Sequence, residues 1–264
     1  MTRFVQAGDL RIAFEREGDG PPLLLMHGAE ASRSMFAALT PHLARHFSVI
    51  AYDQRDCGDS EGPERPSTLA DLADDAAALV RALGLGRVHV FGSSFGGRVA
   101  QALTLRHPAL VDRLVLGSTW PVPEAYDALC PDAGRLADLR ARLPDTAEEL
   151  AGWFFPEPFL AQRPELRRVF AGARAASARA VRRTATVQTT LANDAAAIAA
   201  PTLLLAGELD RVVPPAVTLA MAGRIPHARA AVLPGVGHAT ALQAPALLAQ
   251  HIAAFLRDGE PDKE

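Results

Sequence analysis

The chain has 264 residues, 49% hydrophobic and 22% charged, with a formal net charge of −3; this suits one large α/β domain with room for an insertion and offers no global field for nucleic acid or an anionic membrane. Its two cysteines, Cys57 and Cys130, make no CxxC pair and no metal-ligand pattern, which points to free thiols in a reducing compartment. The first residues carry no apolar signal core, and no apolar run approaches the roughly 20 residues of a membrane helix, so the expected location is the cytoplasm.

In chain order, residues 4–7 and 10–17 read as two strands around a Gly8-Asp9 turn. Residues 22–26 form a compact apolar strand ending at His27-Gly28. A helix is predicted over 32–45, a strand over 47–52, and a polar, glycine-bearing loop over 53–66. Ser67 is expected to cap a helix reaching about Leu83, with Leu69, Leu72, Ala76, Leu79, Val80 and Leu83 at helical spacing and Gly84 as the stop. A β-branched strand over 87–91, a helix over 98–106 and a strand over 114–116 follow. From about 120 to 199 the alternation stops, and the segment reads as helical, proline-punctuated and aromatic. Alternation resumes with a strand over 202–206, a helix over 215–223, a strand over 230–233 and a last helix over 241–256. Residues 258–264 are a charged tail, expected to be disordered. Strands alternating with helices imply a mostly parallel sheet covered on both faces. The predicted organisation is a core of residues 1–119 and 200–264, with 120–199 inserted as a helical cap.

The most informative stretch is Gly92-Ser93-Ser94-Phe95-Gly96-Gly97, a Gly-x-Ser-x-Gly with a strand before it and a helix after it. A serine on such a turn exposes its Oγ beside a helix N-terminus, and the glycines let backbones approach closely. A serine hydroxyl is a weak nucleophile and needs an adjacent base. Downstream, Gly207-Glu208-Leu209-Asp210 follows one strand and Gly235-Val236-Gly237-His238 the next, in the order nucleophile, acid, histidine. Both lie at strand ends, where open α/β sheets put their sites. Asp210 is read as the carboxylate that orients His238. Glu208 is its rival, but it lies close to the strand end, where a side chain has less reach. The alternative site for the acid, Gly117-Ser118-Thr119-Trp120, holds no carboxylate. Acyl transfer also needs donors for an oxyanion. The backbone N–H groups of Phe95, next after the serine, and Ala29, in the loop after the 22–26 strand, are the candidates. His27 is read as a residue shaping that loop.

These residues resemble the α/β-hydrolase superfamily. The matching pieces are His27-Gly28, Asp53-Gln54-Arg55-Asp56-Cys57-Gly58-Asp59-Ser60, the serine motif, Gly207-Glu208-Leu209-Asp210 with Val213-Pro214, and Gly235-Val236-Gly237-His238. The resemblance implies an eight-stranded sheet with one antiparallel strand, a cap over the site, Ser94, Asp210 and His238 as a triad, and no metal or organic cofactor. Members with an aspartate nucleophile are disfavoured by Ser94. The chain looks most like small bacterial serine members: carboxylesterases, enol-lactone hydrolases, cofactor-free haloperoxidases and aclacinomycin methylesterase. Asp56 stands where the commoner form has glycine, and aclacinomycin methylesterase-like sequences also carry aspartate there.

Other residues invite weighing. Asp53 and Arg55 read as an ion pair bracing a loop. Cys57 reads as an inert thiol. Trp120, Trp153, Phe154 and Arg98 are candidate substrate contacts, although the aromatic run over 153–159 is equally lid core, and Arg98 reads first as a surface or ion-paired arginine. Arg163, Arg167, Arg168, Arg174, Arg179, Arg182 and Arg183 are read as one solvated helix face, with Leu166, Val169, Phe170, Ala173, Ala176 and Ala180 opposite. His42 and His46 gather no companion ligands, so no metal site is read. The expected activity is hydrolysis of a carboxylic ester or lactone with a small to medium apolar part, through an acyl-enzyme. The alternative uses the same triad for C–C bond hydrolysis, perhydrolysis, or a lyase or cyclase step in a biosynthetic pathway. A pure binding protein would not need all three side chains. The expected partner is a small molecule, with a homodimer through the cap helices as an option.

Overall fold

The computed structural model describes residues 1–172 and 177–258. The sequence reading of Ala173, Arg174 and Ala176, and of the tail from 259 on, lies outside them.

Eight strands form one sheet in the order β1-β2-β4-β3-β5-β6-β7-β8. They are β1 (Arg3–Ala7), β2 (Leu10–Glu17), β3 (Pro22–Met26), β4 (Ser48–Tyr52), β5 (Val88–Ser93), β6 (Val111–Gly117), β7 (Thr202–Gly207) and β8 (Arg229–Leu233). β2 runs antiparallel to both β1 and β4, and every other pairing is parallel. The central strands are buried because both of their faces are covered: every residue of β4 and β5 is buried. Along β3, Leu24 and Met26 enter one apolar cluster while Leu23 and Leu25 enter the other. β4 divides in the same way, Ile50 and Tyr52 against Val49 and Ala51, as a period of two requires. Helices α1 (Leu69–Ala82) and α2 (Phe95–Arg106) close the first cluster, with Leu72, Leu79, Val99 and Leu103 among their buried contacts.

The sheet order locates the site. From β3 the chain steps to β4 on one side, and from β5 it steps to β6 on the other. β3 and β5 are parallel neighbours, with Met26 level with Gly92, so the loops leaving their C-terminal ends diverge across a crevice. That switch point is where doubly wound sheets bind their ligands.

Between β6 and β7 the structure is helical. The longer pieces are α3 (Ala133–Ala141), α4 (Ala147–Phe154) and α5 (Ala178–Val187), with shorter helical pieces at Tyr126–Leu129, Glu157–Gln162 and Pro164–Arg168. Leu136, Leu139, Leu150 and Trp153 of this segment join the apolar cluster that α1 and α2 close. After β8, α6 (Pro245–Arg257) seals the opposite cluster through Leu248, Ile252 and Phe255.

Three predicted helices differ. Residues 32–45 do not form one helix: a 3₁₀ turn, Arg33–Phe36, is followed by a single α turn, Thr40–Leu43. Pro41 lies in the first turn of that second piece, where proline's missing N–H is harmless; further inside a continuous helix it would break the ladder. The last helix is likewise split, Thr240–Gln243 and then α6, at Ala244 before Pro245. The cap of α1 is Thr68 rather than Ser67. Thr68 Oγ1 accepts from the Asp71 N–H at 3.2 Å and Asp71 Oδ2 accepts from the Thr68 N–H at 2.8 Å, a reciprocal capping box. Ser67 instead meets Thr186 of α5, Oγ to Oγ1, at 2.8 Å.

Candidate active site

Ser94 sits between the last residue of β5 and the first of α2 with φ 54° and ψ −125°. A non-glycine residue there carries strain of about 1–3 kcal/mol, which the surroundings must hold in place. Here the Ser94 N–H donates to the Gly117 carbonyl at 2.8 Å, and its carbonyl accepts from Thr119 Oγ1 at 2.7 Å and from the Gly97 N–H at 2.8 Å. The turn also demands absent side chains. A Cβ on Gly92 would lie 2.4 Å from the Gly96 carbonyl oxygen, and one on Gly96 would lie 2.1 Å from that of Met26. Backbone occupies both spaces, so neither position tolerates alanine without a shift.

The structure brings the three distant side chains together. His238 Nε2 lies 3.1 Å from Ser94 Oγ, and His238 Nδ1 lies 2.9 Å from Asp210 Oδ2. Asp210 Oδ1 accepts from the N–H groups of Val212 and Val213, both at 2.9 Å. A carboxylate only accepts, so the imidazole proton resides on Nδ1 and the Nε2 lone pair faces the serine hydroxyl. Both residues are buried. Glu208 does other work: its Oε2 accepts from the Gly235 N–H at 2.8 Å and fixes the turn that precedes His238. The His238 loop is tied to α4. The Phe154 carbonyl accepts from the His238 N–H at 2.9 Å, and the Phe154 ring meets the imidazole edge-on at 5.3 Å between centroids.

Phe95 follows the serine in the chain, and Ala29 follows Gly28 in the loop after β3. Phe95 opens α2, so its N–H is one of the first-turn donors with no intrahelical acceptor. Gly28, next to Ala29, lies against the serine: a Cβ built on it would be 3.6 Å from Ser94 Cβ. His27 shapes this loop from inside. Its Nδ1 donates to the Gly28 carbonyl at 2.8 Å and its Nε2 accepts from the Gln54 N–H at 3.1 Å. Burial, with the Arg183 charge nearby, pushes its pKa down to about 3, so the ring is neutral and both nitrogens are engaged.

The remaining expectations divide. Trp153 is 4% exposed in the main apolar cluster, with the Arg211 guanidinium 4.3 Å from its ring centroid. Trp120 is equally buried, against Tyr126. Arg98, expected as a substrate contact or ion-paired residue, is a tether: it donates to the carbonyls of Thr189 at 3.0 Å and Val122 at 2.6 Å. Burial holds its pKa down at about 10. Of the four aromatic and arginine candidates, Phe154 is the one whose ring meets His238. Asp53 and Arg55 do not pair with each other. Asp53 holds Arg33 and the Asp59 N–H, while Arg55 makes two bonds to Asp75, at 2.8 and 2.9 Å, and one to Asp9. Cys57 is buried, and burial pushes its thiol pKa up.

The arginine series is not one solvated face. Arg163 and Arg168 are exposed around a 3₁₀ turn, Pro164–Arg168, while Arg179, Arg182 and Arg183 belong to α5 and turn inward. Arg179 donates to the carbonyls of Cys57 and Ser60 at 2.7 and 2.6 Å, and Arg182 pairs with Asp56 at 2.7 Å. Arg183 is 5% exposed and reaches Ala29, Gln54 and the Phe95 ring. On the other supposed face, Val169 and Ala180 are exposed. The helical period failed because α5 is not continuous with the turn before it. Arg183, Gln54 and the Asp56–Arg182 pair were not singled out as a unit by sequence, since their partners lie up to 155 residues away. A cavity of about 500 Å³ lies beside this contact, lined by residues including Ala29, Asp56, Gly58, Arg179 and Arg183, but not by Ser94, Asp210 or His238. Among the described residues no cluster of three or more His, Cys, Asp or Glu could hold a metal ion, and no helix is long and apolar enough to cross a membrane.

Comparison with known proteins bears on this arrangement. The model of the alpha/beta hydrolase fold matches residues 21–245. The 2-hydroxymuconate semialdehyde hydrolase of Pseudomonas sp. (strain CF600) is 29% identical, over 98% of this chain and 95% of that protein. Among solved structures, a hydrolase from Pseudomonas aeruginosa PA01 superimposes with a TM-score of 0.79 at 31% identity, covering 97% of this chain and 98% of that one. A thermophilic esterase from Thermogutta terrifontis gives a TM-score of 0.80 at 28% identity, with 98% of each chain covered.

Proposed function

Since the chain belongs to the alpha/beta hydrolase fold family and is a hydrolase, we propose that it cleaves a carboxylic ester or lactone through an acyl-enzyme on Ser94. The observation that carries this reading is the continuous run Ser94 Oγ–His238 Nε2 at 3.1 Å and His238 Nδ1–Asp210 Oδ2 at 2.9 Å. His238 takes the hydroxyl proton as Oγ bonds to the carbonyl carbon, and the N–H groups of Ala29 and Phe95 stabilise the oxyanion. The imidazolium returns the proton to the leaving alkoxide, and the ester C–O bond breaks. Water, deprotonated by the same nitrogen, then releases the acid and restores Ser94. Asp210 stays ionised, holds the tautomer and stabilises the imidazolium. Residues 120–199 serve as a cap over the core formed by 1–119 and 200–264, a division supported by the contacts of α5 and Phe154 with the site loops.

A second reading is favoured by one observation. The Pseudomonas relative, matched over nearly the whole chain, is named a semialdehyde hydrolase, and the same triad can be turned to C–C hydrolysis of a dicarbonyl compound. The test pairs chromogenic short-chain esters and lactones with a vinylogous diketone, using Ser94→Ala as control. The ester reading expects fluorophosphonate labelling of Ser94 and a loss of about 10⁴-fold or more in ester turnover on Ser94→Ala. Unchanged ester turnover in that variant would end the reading; a kcat/KM for the diketone far above that for every ester would replace it with the second.

A further inference from the structure

We propose that Arg183, supplied by α5 of the insertion, is a positioning residue for the peptide that presents the Ala29 N–H to the oxyanion. The inference rests on the acyl-enzyme reading and extends it to a side chain that never meets the substrate. The Arg183 side chain is buried, and it has no carboxylate partner among the described residues. A buried cation is costly unless strong acceptors meet it. Those present are all in or around the 27–29 loop. Nε donates to the Ala29 carbonyl at 2.9 Å, and Nη2 donates to Gln54 Oε1 at 2.9 Å and approaches the Gly28 carbonyl at 3.5 Å. The guanidinium carbon lies 4.8 Å from the centroid of the Phe95 ring, and Phe95 bears the second candidate donor.

The amide that ends in the Ala29 N–H has its carbonyl on Gly28. A trans peptide points its N–H opposite to its C=O. Holding the Gly28 oxygen from one side therefore fixes the direction of the Ala29 N–H on the other. Three donors share that oxygen: the neutral imidazole of His27 at 2.8 Å, the guanidinium at 3.5 Å, and the Ala31 N–H at 3.5 Å from within the loop itself. Donation to a carbonyl also polarises its amide and strengthens the N–H as a donor. The next carbonyl, that of Ala29, is gripped by the same guanidinium, so the backbone on both sides of the N–H is anchored. Gln54 completes the clasp, donating from Nε2 to the His27 carbonyl at 2.7 Å while its Oε1 takes Arg183. Arg179 and Arg182 fasten the same helix to the 56–60 loop through the Cys57 and Ser60 carbonyls and Asp56, away from residues 27–29. They provide a control for helix docking alone.

The experiment measures kcat and KM on the best ester for wild type, Arg183→Met, Arg183→Lys and Arg182→Met, with thermal unfolding and fluorophosphonate labelling of each. An oxyanion donor acts on the transition state, so Arg183→Met is expected to lower kcat about 10–100-fold with KM within about twofold, and to slow labelling in parallel. Arg183→Lys, which keeps the charge but not the planar fork, recovers part of kcat. Arg182→Met keeps kcat within about threefold even if it unfolds at lower temperature. Where Arg183→Met does not fold, the lysine variant is read in its place and must lose kcat at constant KM. Unchanged kcat in the Arg183 variants, a change in KM alone, or an equal kcat loss in Arg182→Met overturns the proposal. A wild type that neither labels at Ser94 nor turns over any ester fails the acyl-enzyme reading itself, and this proposal with it; wild-type turnover with indifferent Arg183 variants fails the positioning role only.

Discussion

Asp210→Asn tests the site with the least change in shape. Asp210 Oδ1 receives two backbone N–H groups, from Val212 and Val213, and lies 3.1 Å from His238 Nδ1, while Oδ2 faces Nδ1 more closely at 2.9 Å. An asparagine has one oxygen for these two sides. If the oxygen stays on the two backbone donors, the amide NH₂ faces Nδ1, the imidazole must present a lone pair there, and its proton moves to Nε2. Nε2 then points N–H at Ser94 Oγ and cannot accept the hydroxyl proton. If the amide flips, its NH₂ confronts two buried N–H donors, leaving them unsatisfied at about 1–3 kcal/mol each. The first arrangement is therefore the stable one, and it carries the wrong tautomer. The expected loss in kcat is about 10⁴-fold, or about 5 kcal/mol of transition-state stabilisation, with folding stability little changed. Steady-state ester hydrolysis alongside thermal unfolding reads both quantities. Glu208→Gln is the comparison, because Glu208 anchors the Gly235 N–H and not the imidazole; it should keep kcat within a few-fold. Retention of a tenth or more of kcat in Asp210→Asn, or an equal collapse in Glu208→Gln, would refute the assignment of the acid.

Two further outcomes follow from the loops beside the serine. His27 titrates at about 3 when folded against an ordinary 6.5, so the unfolded chain binds the extra proton between those values and stability must fall as pH drops from about 6.5 toward 3. This one ring contributes a slope of up to about 1.4 kcal/mol per pH unit; His27→Asn, less stable overall, should show a visibly flatter dependence in urea unfolding between pH 6 and 4, and parallel curves would contradict the burial argument. Gly96→Ala would drive a methyl to 2.1 Å from the Met26 carbonyl oxygen and 2.6 Å from that of His27. Both are backbone atoms, so the variant should lose about 3 kcal/mol or more in denaturant titration, and a loss under 1 kcal/mol would show that the crevice yields.

The parts of this molecule that sequence revealed are those set by local chemistry. The apolar strands over 22–26 and 202–206 announce themselves by composition, and Gly92, Ser94 and Gly96 by the sterics of a turn that admits nothing else. His238 and Asp210 were found because each follows such a strand at its C-terminal end. What stayed hidden depends on partners far along the chain. Arg55 looks like a mate for Asp53 two residues away, yet Asp75 and Asp9 hold it while Arg33 holds Asp53. The arginines over 163–183 fit a single helical period on paper, but the helix is interrupted, and the three on α5 turn inward to carbonyls and to Asp56. Helix 32–45 failed for a local reason, Pro41, that an apolar count alone overlooks.

The Phe154 carbonyl that receives the backbone N–H groups of His238 and Ala239 constrains how the protein can breathe. His238, the proposed general base, is stitched to the C-terminal end of α4, so that helix cannot swing outward as a hinged door without dragging the imidazole off the serine. Admission of a substrate must leave this stitch intact, and whatever yields must do so elsewhere on the rim, with α4 behaving as a fixed wall of the reaction chamber.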